Sequence, residues 1–82
     1  MESIGEYLEV DLLSRHPNHK TDRWWVFNKK DHTRTLGMVS WYGSWRQYVF
    51  GLNDPVVLSA GCMRDLADFC EKKTKEHQNE IS

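Results

Sequence analysis

The side chains of this sequence that could perform chemistry are few and poorly grouped. His16 and His19 form an isolated His-x-x-His pair, without the further ligands that a zinc site needs. Cys62 and Cys70 lie in one predicted helix, where two helical turns separate their Cα atoms by about 12 Å, too far for a disulfide. We therefore predict no metal site and a reducing compartment.

Three carboxylates are the remaining candidates for acid–base catalysis. Asp65, Asp68 and Glu71 recur every three residues, which places them along one exposed side of the predicted helix. Such a row is typical of a solvated helix face rather than of an acid/base pair in a cleft. The sequence also lacks a Gly-rich phosphate-binding loop. We therefore predict a protein that is not an enzyme and that has no cofactor.

Length and charge narrow the classes of protein to which this sequence could belong. Residues 1–82 make one small domain, with a polar tail expected to fray from about residue 77. The N-terminus is acidic and no apolar run reaches the length of a membrane span, so we expect a cytoplasmic protein without membrane contact. The net charge of −1 disfavours a constitutive nucleic-acid binder, although residues 11–50 carry a local excess of positive charge.

The N-terminal segment has two interpretations. In YLEVDLL, residues 7–13, alternation predicts a half-buried strand whose inward side chains are Leu8, Val10 and Leu12. A helix over residues 4–15 is the alternative, because residues 3–6 match a capping box. We favour the strand, since Gly5 would weaken the first turn of a helix.

Three further strands follow. RWWVF, residues 23–27, is apolar on both faces and predicts a central strand. TLGMVSWY, residues 35–42, and WRQYVFGL, residues 45–52, predict a hairpin closed by Gly43-Ser44 in a type II′ turn, with Gly43 at positive φ.

This two-residue turn predicts the pairing of the hairpin. Tyr42 would lie opposite Trp45, and Gly37 opposite Phe50, where its missing side chain leaves room for the ring. Opposed residues share a face. One face, the predicted core, would hold Val39, Trp41, Tyr48 and Phe50. The other would hold Met38, Ser40, Tyr42, Trp45, Gln47 and Val49.

The last element is an amphipathic helix. Ser59 is a suitable N-cap for a helix from about Ala60 to Lys75. Its predicted buried stripe is Met63, Leu66, Ala67 and Cys70, widened by Cys62 and Phe69. The predicted fold class is therefore α+β: an antiparallel meander of three or four strands with one C-terminal helix packed on one face, ββββα, or αβββα if the first segment is helical.

The hairpin also resembles a known group of proteins. A leucine-glycine pair, a tryptophan-tyrosine pair, the run Trp-Arg-Gln-Tyr and a short C-terminal helix beginning near a cysteine are similar to small uncharacterised phage and prophage proteins. The matching positions here include Leu36, Gly37, Trp41, Tyr42, residues 45–48 and Cys62. The resemblance implies a phage-type origin, hence the host cytoplasm, and no known reaction. In topology, four strands followed by a helix also resemble the dimeric single-stranded DNA-binding coactivators.

Two functions are open at this point. The first is a protein-interaction module that inhibits or docks onto a host enzyme or defence nuclease, because exposed Trp, Tyr and Arg are typical hot-spot residues. The second is a single-stranded nucleic-acid binder with stacking aromatics and a basic sheet face. Pairing with a second copy of the chain is open in both. The predicted partner-binding residues are Tyr42, Trp45, Arg46, Gln47, Lys29, Lys30 and Arg34.

Overall fold

Five antiparallel strands and one helix make up the fold. The computed structural model describes residues 2–13, 21–52 and 57–81. The strands pair in chain order, and the elements are β1 (Glu2–Ile4), β2 (Leu8–Leu12), β3 (Trp24–Asn28), β4 (Gly37–Tyr42), β5 (Gln47–Leu52) and α1 (Ala60–Ile81). The predicted α+β meander with a C-terminal helix is confirmed, with five strands rather than three or four. RWWVF supplies the central strand, as predicted.

The N-terminal segment is a hairpin. β1 pairs with β2, and Gly5 in the turn has φ 69°, a left-handed conformation that glycine adopts without strain. The strand interpretation is therefore confirmed and the helical alternative is wrong. Leu8 and Val10 are buried as predicted, but Leu12 is 58% exposed because it ends β2, beyond the cover of the described elements.

The β4–β5 hairpin differs from the predicted one in its register. Tyr42 pairs with Gln47 and Trp41 with Tyr48, so the turn has four residues, 43–46, instead of two. Gly43 is not at positive φ, and Arg46 takes the left-handed conformation with φ 52°. The two-residue turn is therefore wrong. The register has moved by two residues, an even number, so every residue of β4 and β5 keeps its predicted face, while Trp45 and Arg46 leave the strand and lie in the turn.

Gly37 still provides space for a ring in the observed register. It pairs with Leu52 rather than with Phe50. A Cβ atom at Gly37 would nevertheless lie 2.8 Å from two carbons of the Phe50 ring and would overlap the Gly51 carbonyl oxygen. The absence of a side chain at this position lets Phe50 lie across the neighbouring strand.

The core lies between the sheet and α1, but the helix is rotated from its predicted phase. Met63 is 54% exposed and Ala67 is also exposed, while Cys70 is half-buried. Phe69 packs edge-on against Trp24, with 5.2 Å between ring centroids. The larger apolar ring takes the position over the sheet and turns Met63 away from it. The buried helix residues are Cys62, Leu66 and Phe69.

Side-chain hydrogen bonds fix both halves of α1. The Ser59 hydroxyl accepts a hydrogen bond from the Cys62 amide at 3.2 Å, so the predicted N-cap is confirmed. Further along, the Thr74 hydroxyl donates to the Cys70 carbonyl at 2.7 Å and accepts from the Tyr48 amide at 2.9 Å. The helix ends at Ile81, beyond the predicted Lys75.

Candidate functional site

One face of the sheet has no helix or strand over it in the described part of the chain. Buried residues of β2–β5 contact α1 on one side, as the Trp24–Phe69 ring pair shows. Their neighbours in sequence point to the other side, because side chains alternate along a strand. We call this side the open face; its residues are Glu9, Asp11, Trp25, Phe27, Met38, Ser40, Tyr42, Gln47 and Val49.

The centre of the open face is apolar. Trp25 on the middle strand pairs with Asp11 on one side and Met38 on the other. Phe27 lies two residues along the same strand, and Val49 is on β5. All four apolar side chains are partly exposed. Rings and aliphatic groups thus remain accessible across three strands, beyond the hairpin on which the sequence prediction concentrated.

A pair of rings extends the open face at the β4–β5 turn. Tyr42 and Trp45 are 44% and 66% exposed. Their ring centroids are 4.7 Å apart at an interplanar angle of 65°, an edge-to-face contact. Trp41 and Tyr48 instead pack together on the helix side, 5.3 Å apart. The predicted division of WYGSWRQY is confirmed for Tyr48, which is buried, and for Tyr42 and Trp45, which are exposed, while Trp41 is on the predicted side but only half-buried.

Of the four predicted basic residues, three do not join this cluster. Lys29, Lys30 and Arg34 lie in the β3–β4 connection, at the end of the sheet opposite to the 43–46 turn. Six residues of β4 separate the two ends, about 20 Å at the rise of a strand. The seven predicted partner-binding residues therefore form two separate groups. Three lie in the β3–β4 connection, and four lie at the 43–46 turn: Tyr42, Trp45, Arg46 and Gln47.

Local hydrogen bonds order the β3–β4 connection. The Asn28 side chain accepts from the Lys30 amide at 2.8 Å, and the Asp31 carboxylate accepts from the Thr33 amide at 3.0 Å. The hydrogen bonds from the Thr33 hydroxyl and amide lower the pKa of Asp31 below its usual value. The Lys29 ammonium donates to the Gly5 carbonyl at 3.0 Å, so this lysine ties the connection to the β1–β2 turn.

The strands of the open face carry carboxylates, while exposed basic residues lie just beyond their ends: Arg23 directly before β3 and Arg46 in the 43–46 turn. The charged side chains that its strands contribute are Glu9 and Asp11, both on β2. Glu9 lies 3.3 Å from the His32 ring nitrogen. Asp11 is exposed and forms no ion pair with the described residues.

The groups with catalytic potential stay apart. Cys62 is buried, as predicted, and burial together with the nearby Glu71 raises the pKa of Cys70 to about 11, so its thiol is protonated at neutral pH. Across residues 2–13, 21–52 and 57–81, no three His, Cys, Asp or Glu side chains are grouped to hold a metal ion. His16 and His19 lie outside these ranges.

A second apolar surface lies on the helix side of the sheet, beside the edge strand β5. The rotation of α1 leaves Met63 and Ala67 beside Leu52 and Leu58, in an open groove of about 440 Å³ between the helix and β5. The sequence prediction missed this groove because it assigned Met63 and Ala67 to the core. It assigned neither Trp25 nor Phe27 to a binding surface, because RWWVF is apolar on both faces and was interpreted as a central strand.

The comparisons with known proteins found a relative from a phage. The chain is 30% identical over 73 residues to an uncharacterised 9.3 kDa protein of Acholeplasma phage L2, which covers 89% of this chain and 91% of the phage protein. No family model matches the chain. No solved structure matches it. The described helix α1 is not apolar enough to cross a bilayer.

Proposed function

This chain belongs to the family of the uncharacterised 9.3 kDa protein of Acholeplasma phage L2, and from that premise we propose that it is a non-catalytic phage-type binding protein of the host cytoplasm. Its partner is a protein, a host enzyme or defence nuclease that it docks onto or inhibits. The open face and the adjoining Tyr42–Trp45 pair form the contact surface.

The open aromatic face is the observation that carries this proposal. A two-layer domain of this size normally buries its largest rings, yet Trp45 is 66% exposed and Tyr42 44% exposed. Trp25, Phe27 and Met38 continue the same surface across β3 and β4. Tryptophan, tyrosine and arginine are the residue types that contribute most to protein–protein affinity, and here Tyr42, Trp45 and Arg46 lie at one end of an apolar centre.

Charge favours a protein over a nucleic acid as the partner. A single-stranded nucleic-acid site combines stacking rings with cations that follow the phosphates. The strands of the open face contribute Glu9 and Asp11 instead, and the basic residues lie beyond the strand ends: Arg23 before β3, Arg46 in the 43–46 turn and the lysines in the β3–β4 connection. Phosphates crossing the face would meet carboxylates, which repel them.

The test is affinity capture from a bacterial lysate with and without nuclease, followed by measurement of the binding constant for the captured protein. Trp45→Ala should weaken binding by about 2 kcal/mol or more, because a hot-spot ring is lost. The melting temperature should hardly change, since the side chain is 66% exposed. Met63→Ala is the matched control, being 54% exposed on the opposite side of the sheet.

Two results would contradict the proposal. Capture that disappears after nuclease treatment would identify a nucleic acid as the partner. Loss of binding in Met63→Ala with full binding in Trp45→Ala would move the contact surface to the groove between α1 and β5.

A further inference from the structure

The open face combines one unpaired carboxylate with one accessible indole. Asp11 is the exposed carboxylate of β2, and it forms no ion pair with the described residues. Trp25 is its direct partner on β3. Side chains opposed in an antiparallel pair have Cβ atoms about 5 Å apart, so one bound group can touch both.

These two groups favour a cation. A lysine or arginine side chain can place its charge beside a carboxylate while its methylene groups lie along apolar surface. The same charge is attracted by the face of an indole within about 6 Å of the ring centre. Phe27 and Met38, which flank Trp25, provide the apolar surface for the stem.

The surrounding charges add to this preference. Glu9 is the second carboxylate on the face, and it lies two residues from Asp11 on the same strand. His32 lies 3.3 Å from Glu9, and its ring centroid is 5.8 Å from that of Phe27 at a tilted angle. Arg23, exposed directly before β3, is the basic residue at the other end of this strand. A partner surface that presents carboxylates here would be repelled, and one that presents cations would be attracted.

We infer that the open face binds a basic segment of its protein partner, with an arginine or lysine between Asp11 and the Trp25 indole and apolar residues on Phe27 and Met38. This rests on the proposed function and adds the chemistry of the partner. Asp11 sets the charge preference, and the rings supply the contact area.

Selection from a random twelve-residue peptide library displayed on phage tests this inference. The purified chain is the bait, and the enriched peptides are then synthesised and titrated into it. We expect the enriched sequences to contain arginine or lysine next to apolar residues. Asp11→Asn should weaken their binding by about fivefold, and added NaCl should weaken binding to the unaltered chain.

Asp68→Asn is the matched control for the charge change. Asp68 is an exposed aspartate on α1, so the variant loses the same charge away from the open face. It should bind the peptides as the unaltered chain does. The indole Nε1–H resonance of Trp25, assigned with a Trp25→Phe variant, should shift on binding and identify the contact directly.

The outcomes separate this inference from the proposed function. Enriched peptides without basic residues, or equal binding by Asp11→Asn and the unaltered chain, would overturn the basic segment and leave the protein-binding face intact. Tight binding of a fifteen-residue oligothymidine at the Trp25 resonance would overturn both. Absence of any enriched peptide would overturn the inference of a short basic segment.

Discussion

Replacing Trp24 with alanine should lower the free energy of unfolding by about 3–5 kcal/mol, the range for loss of a buried aromatic side chain. Trp24 is 6% exposed and contacts the rings of Tyr48 and Phe69 edge-on, at 5.4 and 5.2 Å between centroids. The Lys73 ammonium lies 5.4 Å from its ring centre. The single core of a domain this small rarely supplies more than about 5 kcal/mol of stability, so the variant should be partly unfolded at 37 °C.

Trp25→Ala is the control for this prediction. Trp25 is the next residue in the chain, but it lies on the open face and is partly exposed. Its replacement should cost clearly less than that of Trp24 in urea unfolding followed by circular dichroism. Equal losses for the two variants would mean that both faces of β3 are buried in solution, and the open face would not exist as described.

Leu66→Ala should be the next most destabilising change, at about 2–5 kcal/mol, because it leaves a cavity between α1 and the sheet. Leu66 is 4% exposed. Met63 is on the same helix but 54% exposed, so Met63→Ala should lower the free energy of unfolding by less than about 1 kcal/mol.

Chemical denaturation of the two variants measures this difference. A larger loss for Met63→Ala than for Leu66→Ala would restore the helix phase that the sequence pattern predicted. It would also remove the groove between α1 and β5, since Met63 would then belong to the core.

The element order and the strand faces were predictable, because the alternation of apolar and polar residues assigns faces correctly even when the turn length is predicted wrongly. The hairpin of β4 and β5 has a four-residue turn where two were predicted, yet Trp41 and Tyr48 still face the helix. Sequence pattern determines the parity of a strand, which an even shift preserves. Turn length depends on the backbone, and nothing in Gly43-Ser44 indicated that Arg46 would adopt positive φ.

The face that α1 turns to the sheet and the existence of β1 were harder to predict from the sequence. The apolar residues of α1 span more of the helix surface than one contact with the sheet can bury; they are Cys62, Met63, Leu66, Phe69 and Cys70. The choice among them depends on the shape of the sheet, where Trp24 offers its edge to Phe69. β1 has only three residues, too few for a periodic pattern to reveal.

The candidate site was partly predictable for the same reasons. Exposure of Tyr42 followed from alternation along β4, whereas Trp45 is exposed because it lies in the 43–46 turn. The position of Lys29 and Arg34 depended on which end of the sheet each connection occupies. In a meander, consecutive connections lie at opposite ends of the sheet, so residues 29–34 and 43–46 could not meet. Trp25 and Phe27 could also have been assigned to the open face, because one helix covers one face of a sheet.

The hydrogen bond between Thr74 and the Tyr48 amide has a consequence for self-assembly. β5 and β1 are the two edges of the sheet, and pairing β5 of one molecule with β1 of the next would repeat without closing, as in a fibre. The Tyr48 amide of edge strand β5 donates its hydrogen bond to the Thr74 hydroxyl at 2.9 Å, so this amide is not available to an incoming strand. Thr74→Val keeps the shape but removes the acceptor, and should raise light scattering over time at high protein concentration. If the variant stays as monodisperse as the unaltered chain, this hydroxyl does not protect the edge against polymerisation.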